Sequence, residues 1–126
     1  MKRVSWLVVG ILVLLGTSVS AHHSYAKFDR DHPVSVEGTL EALLYANPHV
    51  VMKVRTADGT FYTVVWQAMN WVEREAGVTK DTFKSGDLLI IRGAPSRTPG
   101  EHELSLVQEV RRPSDGWHWG QIYRQP

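Results

Sequence analysis

Val34-Ser35-Val36-Glu37-Gly38-Thr39-Leu40-Glu41-Ala42-Leu43-Leu44 is the stretch that decides the fold. Val34, Val36, Gly38, Leu40, Ala42 and Leu44 alternate with Ser35, Glu37, Thr39, Glu41 and Leu43. A period of two sustained this long predicts a strand with one buried face. Gly38 in its middle predicts a bulge or a sharp bend, since glycine weakens a regular strand and packs nothing. Asn47-Pro48 breaks the pattern.

Moving outward, Val50–Thr56 is a second, β-branched strand. Ala57-Asp58-Gly59-Thr60 is a hairpin turn, and Phe61–Gln67 returns as strand three. Asn70 with Glu73 has the spacing of a capping box, and Gly77 is placed to end the short helix so begun. Lys84-Ser85-Gly86-Asp87 is a turn, and Leu88–Arg92 reads as a fully buried fourth strand. Gly93–His102 is a loop rich in Pro, Gly and Ser. Glu103–Arg111 alternates as a fifth strand, Leu104, Leu106 and Gln108 on one face and Ser105, Val107 and Glu109 on the other. The order β-β-β-α-β-β, with a curved first strand broken by glycine, predicts a mainly β fold. It is a small five-stranded OB-like Greek-key barrel with one short helix between strands 3 and 4. An immunoglobulin-like sandwich would need about seven strands.

Before the barrel the chain carries an address. Lys2-Arg3 precede the apolar run Trp6–Leu15, followed by Val19-Ser20-Ala21. A membrane span needs about 20 apolar residues, whereas the core of a signal peptide needs about 7 to 15. The expectation is therefore a signal peptide at 1–21, cleaved after Ala21, and an exported, periplasmic protein with no transmembrane anchor in its mature chain. Residues 22–33 read as an extended arm, 34–112 as the barrel and 113–126 as an aromatic C-terminal tail.

The chain has 126 residues and a formal net charge of +1. Lys2 and Arg3 are the only charged residues in 1–21, so the remaining 105 residues carry −1. A near-neutral chain lacks the basic footprint of a nucleic-acid or anionic-membrane binder. With no cysteine, thiol nucleophiles, disulfides, thiolate zinc sites and lipidated N-terminal cysteines are excluded.

Several segments in this order resemble one group of small exported bacterial proteins, the domain of unknown function 6152 family. They are Ala21-His22-His23-Ser24-Tyr25, Phe28-Asp29, Val36-Glu37-Gly38-Thr39, Asn47-Pro48-His49-Val50, Trp66, Lys84-Ser85-Gly86-Asp87 and Gly93-Ala94-Pro95-Ser96-Arg97. The chain departs from that pattern at Tyr45-Ala46, where a Trp and a small polar residue are expected. It departs again at Trp71-Val72-Glu73-Arg74, which lacks a Leu-Arg pair. The resemblance implies a single exported β-barrel-like domain of unassigned activity.

The histidines carry the candidate chemistry. Cleavage after Ala21 makes His22 the first residue, and its α-amine and imidazole can chelate one metal ion together. A further imidazole from His23 or His49 completes a three-nitrogen set suited to Cu(II). Cleavage after Ser20 instead makes His23 the third residue, giving a square-planar set with the amine and two amides. The bland alternative is a turn-stabilising hydrogen bond for His49 and ordinary solvation for the arm. His32, His102 and His118 are scattered and read as exposed, and Asp29 with Asp31 reads as a solvated pair. Trp117 and Trp119 share one face if extended. They either stack on a ligand or partner, or cover the barrel and fill its thin core.

The resulting expectation is a non-enzymatic exported binding module with an unknown ligand or periplasmic protein partner, its sharper form binding Cu(II) at His22, His23 and His49. One alternative is a metal-independent ligand- or protein-binding barrel using Trp117, Trp119 and the loop Ala94–Glu101. The other is a copper-dependent oxidative enzyme with an N-terminal His chelate.

Overall fold

The computed structural model describes residues 25–120. Within them run β1 (Val34–Leu44), β2 (Val51–Arg55), β3 (Phe61–Val65), α1 (Met69–Ala76), β4 (Leu88–Pro95), β5 (Glu103–Arg112) and β6 (Trp117–Gly120). The sheet order is β3-β2-β1-β4-β5-β6, and an additional β3–β5 pairing closes β1 to β5 into a barrel. Every neighbouring pair is antiparallel except β3–β5, which is parallel through Thr63–Glu103 and Val64–Leu104. A closed five-stranded barrel in this order, with a helix between β3 and β4, is the OB fold.

β1 earns its length by serving both halves. Val34–Thr39 pairs with β4, and Thr39–Leu44 pairs with β2. Gly38 stands at the crossing, where a Cβ would lie 2.9 Å from the Arg55 carbonyl oxygen. The bulge itself falls between Leu40 and Ala42. That extra residue inverts the alternation expected from the sequence: Leu43 packs against the core, while Leu44 is 60% exposed. β5 breaks phase too. Its pairing with β4 jumps from Arg92–Glu109 to Ala94–Ser105, and Leu106 sits there at φ 49°. Val107 consequently joins Leu104 and Val110 on the core side. β4 is not buried on both faces as its apolar run suggested. Leu89 and Ile91 are fully buried, while Leu88 is largely exposed.

The core is Leu40, Met52, Val54, Val64, Leu89, Ile91, Leu104 and Val110 inside the barrel, with Val72, Val78 and Phe83 from α1 and its following segment. The helix start differs from expectation. Asn70 is inside α1 and its Oδ1 accepts only the adjacent Trp71 amide. The cap position is Ala68, which has no side-chain bond to give, and Asn47 of the β1–β2 turn accepts the Met69 amide at 3.0 Å instead. Gly77 ends the helix at φ 65°, donating to the Glu73 carbonyl.

Two further devices tie the ends down. Phe28 is buried and forms a β-bridge with Ser96, while Asp29 donates to the Pro95 carbonyl and Arg97 to that of Lys27. At the other end Arg112 donates to the Thr82 carbonyl (2.6 Å), to Asp87 (3.0 Å) and through two nitrogens to Asp115. This guanidinium holds the Asp115 carboxyl below its usual range and positions the turn into β6. β6 is a sixth strand beyond the expected five, laid along β5 from Arg112–Trp117 to Glu109–Gly120.

Candidate functional site

The β1–β2 turn contains a cis Asn47–Pro48 peptide and delivers His49 to the end of β3. Backbone bonds Val50 to Gln67 and Trp66 to Val50 fix that neighbourhood. His49 Nδ1 lies 3.0 Å from the Trp66 carbonyl oxygen. A carbonyl only accepts, so Nδ1 carries a proton, and in the neutral ring the lone pair is then on Nε2. The same bond braces a turn and presents a metal-ready nitrogen, since ligating histidines usually anchor their other ring nitrogen on a carbonyl or carboxylate.

His22 and His23 lie outside the described residues. Of the others, His32 contacts Asp29 Oδ2 at 3.0 Å, His102 rests against Tyr62, and His118 is exposed on β6. The hydrogen bond from His32 and the charge of Arg97 hold the Asp29 carboxyl below its ordinary value. Among the described residues, no group of three or more His, Asp or Glu is gathered for a metal.

Trp117 and Trp119 share one face of β6, and both are half-buried against the core. Trp119 meets Trp66 at 5.0 Å and the edge of Trp71 at 5.9 Å between ring centres, and Trp117 meets Phe83 edge-on at 4.9 Å. Such contacts contribute about 0.5 to 1.5 kcal/mol each beyond area burial. The Trp66 indole N–H beneath Trp119 is buried and has no hydrogen-bond partner among the described residues.

A place not singled out in the sequence lies where the β2–β3 hairpin faces the β4–β5 loop. A cleft of about 450 Å³ is lined there by Glu37, Thr56, Asp58, Thr60, Tyr62 and His102. Tyr62 and His102 face each other with ring centres 5.1 Å apart. Asp58 accepts the Thr56 hydroxyl and the Thr60 amide, which lower its pKa to about 2. The Glu37 carboxylate, the Tyr62 hydroxyl and the His102 imidazole have no hydrogen-bond partner among the described residues. Nothing local in the sequence joins positions 37, 58 and 102. The one available signal was that Tyr62 shares strand phase with the core residue Val64, placing it at the barrel's mouth.

Among the described residues no helix is long and apolar enough to cross a membrane. No curated protein matches the chain. Among solved structures, one chain of a crystal structure of the S. pombe Stn1–Ten1 complex is similar at 20% identity and a TM-score of 0.46. The similarity covers 68% of this chain and 62% of that one, so this chain spans less than two thirds of that neighbour's length. The family model for DUF6152, a family of unknown function, matches residues 10–105, and the chain belongs to that family.

Proposed function

We propose that this chain is an exported binding module that holds Cu(II), with no catalytic step of its own. Residues 1–21 act as the signal peptide, and the mature protein begins at His22 in the periplasm. The α-amine and imidazole of His22 supply two nitrogens, and His49 or His23 supplies the third. The observation that carries this reading is the hydrogen bond from His49 Nδ1 to the Trp66 carbonyl. It holds the ring in one orientation and leaves Nε2 as the donor, as the second-sphere logic of histidine ligands requires. Amine and imidazole nitrogens with tetragonal geometry suit Cu(II) over the other first-row ions.

The test is a Cu(II) titration with electron paramagnetic resonance on protein beginning at His22. It is repeated on protein with one extra residue before His22 and on His49→Ala. One-to-one binding that is lost with the extra residue and weakened in His49→Ala supports the site. Weak binding indifferent to both changes sinks it. Peroxide production by the copper-loaded protein with ascorbate would instead favour an oxidative enzyme over a carrier.

A further inference from the structure

The cleft between the β2–β3 hairpin and the β4–β5 loop stands apart from the histidine reading and has a chemistry of its own. Its volume of about 450 Å³ falls within the ordinary range for small-molecule sites. Two of its walls are carboxylates, Glu37 and Asp58, and no lysine or arginine among the described residues lines it. Most acids elsewhere on the described surface are answered by bases, Asp31, Glu73 and Asp81 being the exceptions. Asp29 has Arg97, Glu41 has Arg55, Asp87 and Asp115 share Arg112, and Glu101 and Glu103 share Lys27. Arg55, the cation nearest in sequence to the hairpin turn, lines only the adjoining cleft and is held by Glu41 at 2.6 Å.

Between the carboxylates the cleft offers the Tyr62–His102 ring pair. Glu37 and the Tyr62 hydroxyl accept nothing from within the described protein, so both acceptors are available to a ligand. Asp58 is already bonded to its own turn, and those bonds keep it ionised through the whole physiological range. A ligand that satisfies this arrangement must carry positive charge at both ends, several N–H donors, and an apolar stretch to lie across aromatic rings. A metal ion is the poorer fit, since the lining residues are not gathered as a metal-ligating group.

We propose that this cleft binds a linear aliphatic polyamine, its ammonium groups paired with Glu37 and Asp58 and its methylenes lying over Tyr62 and His102. The pairing is exposed, so each carboxylate contributes modestly and binding is weak and salt-sensitive.

The test is a titration of the isotope-labelled full chain, purified after export, with spermidine, followed by amide chemical shifts. Peracetylated spermidine and maltose serve as uncharged comparisons. The expected shifts cluster at Glu37–Thr39, Thr56–Tyr62 and His102, appear with spermidine alone, and vanish in 1 M salt. Glu37→Gln is the deciding variant because Glu37 has no partner to lose within the described fold. It should keep the thermal midpoint and weaken binding roughly two- to five-fold. Asp58→Asn should weaken binding similarly, but it also removes turn bonds. No binding, shifts elsewhere, equal response to maltose or the acetylated compound, or unchanged affinity in Glu37→Gln would each overturn the proposal.

Discussion

At the scale of single residues, Asp58 shows how a turn writes its own pH dependence. The Thr56 hydroxyl and Thr60 amide bind the ionised carboxylate and draw its pKa from 3.8 to about 2. A folded-state pKa below the unfolded value means stabilisation that is present above pH 4 and lost as pH falls through the folded value. Asp58→Asn should therefore flatten the stability curve between about pH 4 and pH 2 while changing little of its shape above pH 5, measured by urea unfolding across that range. Gly120 makes the complementary point about backbone. At φ 94° it lies where an added Cβ would be 2.0 Å from the Gln108 carbonyl oxygen, so glycine is the residue that lets β6 lie against the β5 bulge. His49 and the β4–β5 loop were legible as positions of interest in the sequence. Their partners were not, because the Trp66 carbonyl and the Tyr62 ring come from strands that only tertiary pairing brings alongside.

At the scale of elements, the helix is the clearest case of a local rule overridden by a distant residue. Asn70 and Glu73 have capping-box spacing, yet the cap falls two residues earlier at Ala68, and the first helical amide is met by Asn47 from 22 positions upstream. Asn47→Ala should cost about 1 kcal/mol in chemical unfolding and fray the first turn, whereas Asn70→Ala should leave global stability nearly unchanged. The strands β1 to β5 could be read from alternation and turn residues because those signals are local. Their phase beyond a bulge could not. One inserted residue exchanges the two faces, which is why Leu43 and Val107 face inward and Leu44 outward. β6 escaped because Trp117-His118-Trp119-Gly120 is too short for periodicity to speak. Its strand character comes from β5 beside it, and from Asp115 held by Arg112 at the entry.

At the scale of the whole molecule, the barrel is sealed unevenly. β1 and β4 are joined by six residue pairs, but the parallel seam between β3 and β5 has two. The β1–β4 pairing closes the longer loop, from Val34–Gly93 to Thr39–Leu88, so the seam is the weaker junction through its two rungs and not through loop entropy. Native-state hydrogen exchange should find the Thr63 amide, which donates to the His102 carbonyl, exchanging through smaller openings than the β1–β4 amides. Uniform protection around the barrel would contradict this. The cleft sits at this least-fastened seam, between the hairpin and the loop that precedes β5.

Closing a sheet on itself removes its edges, and β6 gives one back. β1 to β5 each have a neighbour on both sides, whereas β6 is paired on one side only among the described residues. An open edge invites a strand from another copy, and proteins blunt such invitations by keeping them short or kinked. Here the rung count is four, and the last residue, Gly120, leaves the extended conformation. Gly120 therefore has two roles, letting β6 approach Gln108 without a Cβ and turning the backbone at the end of the described edge. Replacing it would set a Cβ against the Gln108 backbone, so the expected result is a β6 loosened from β5 and not a longer edge.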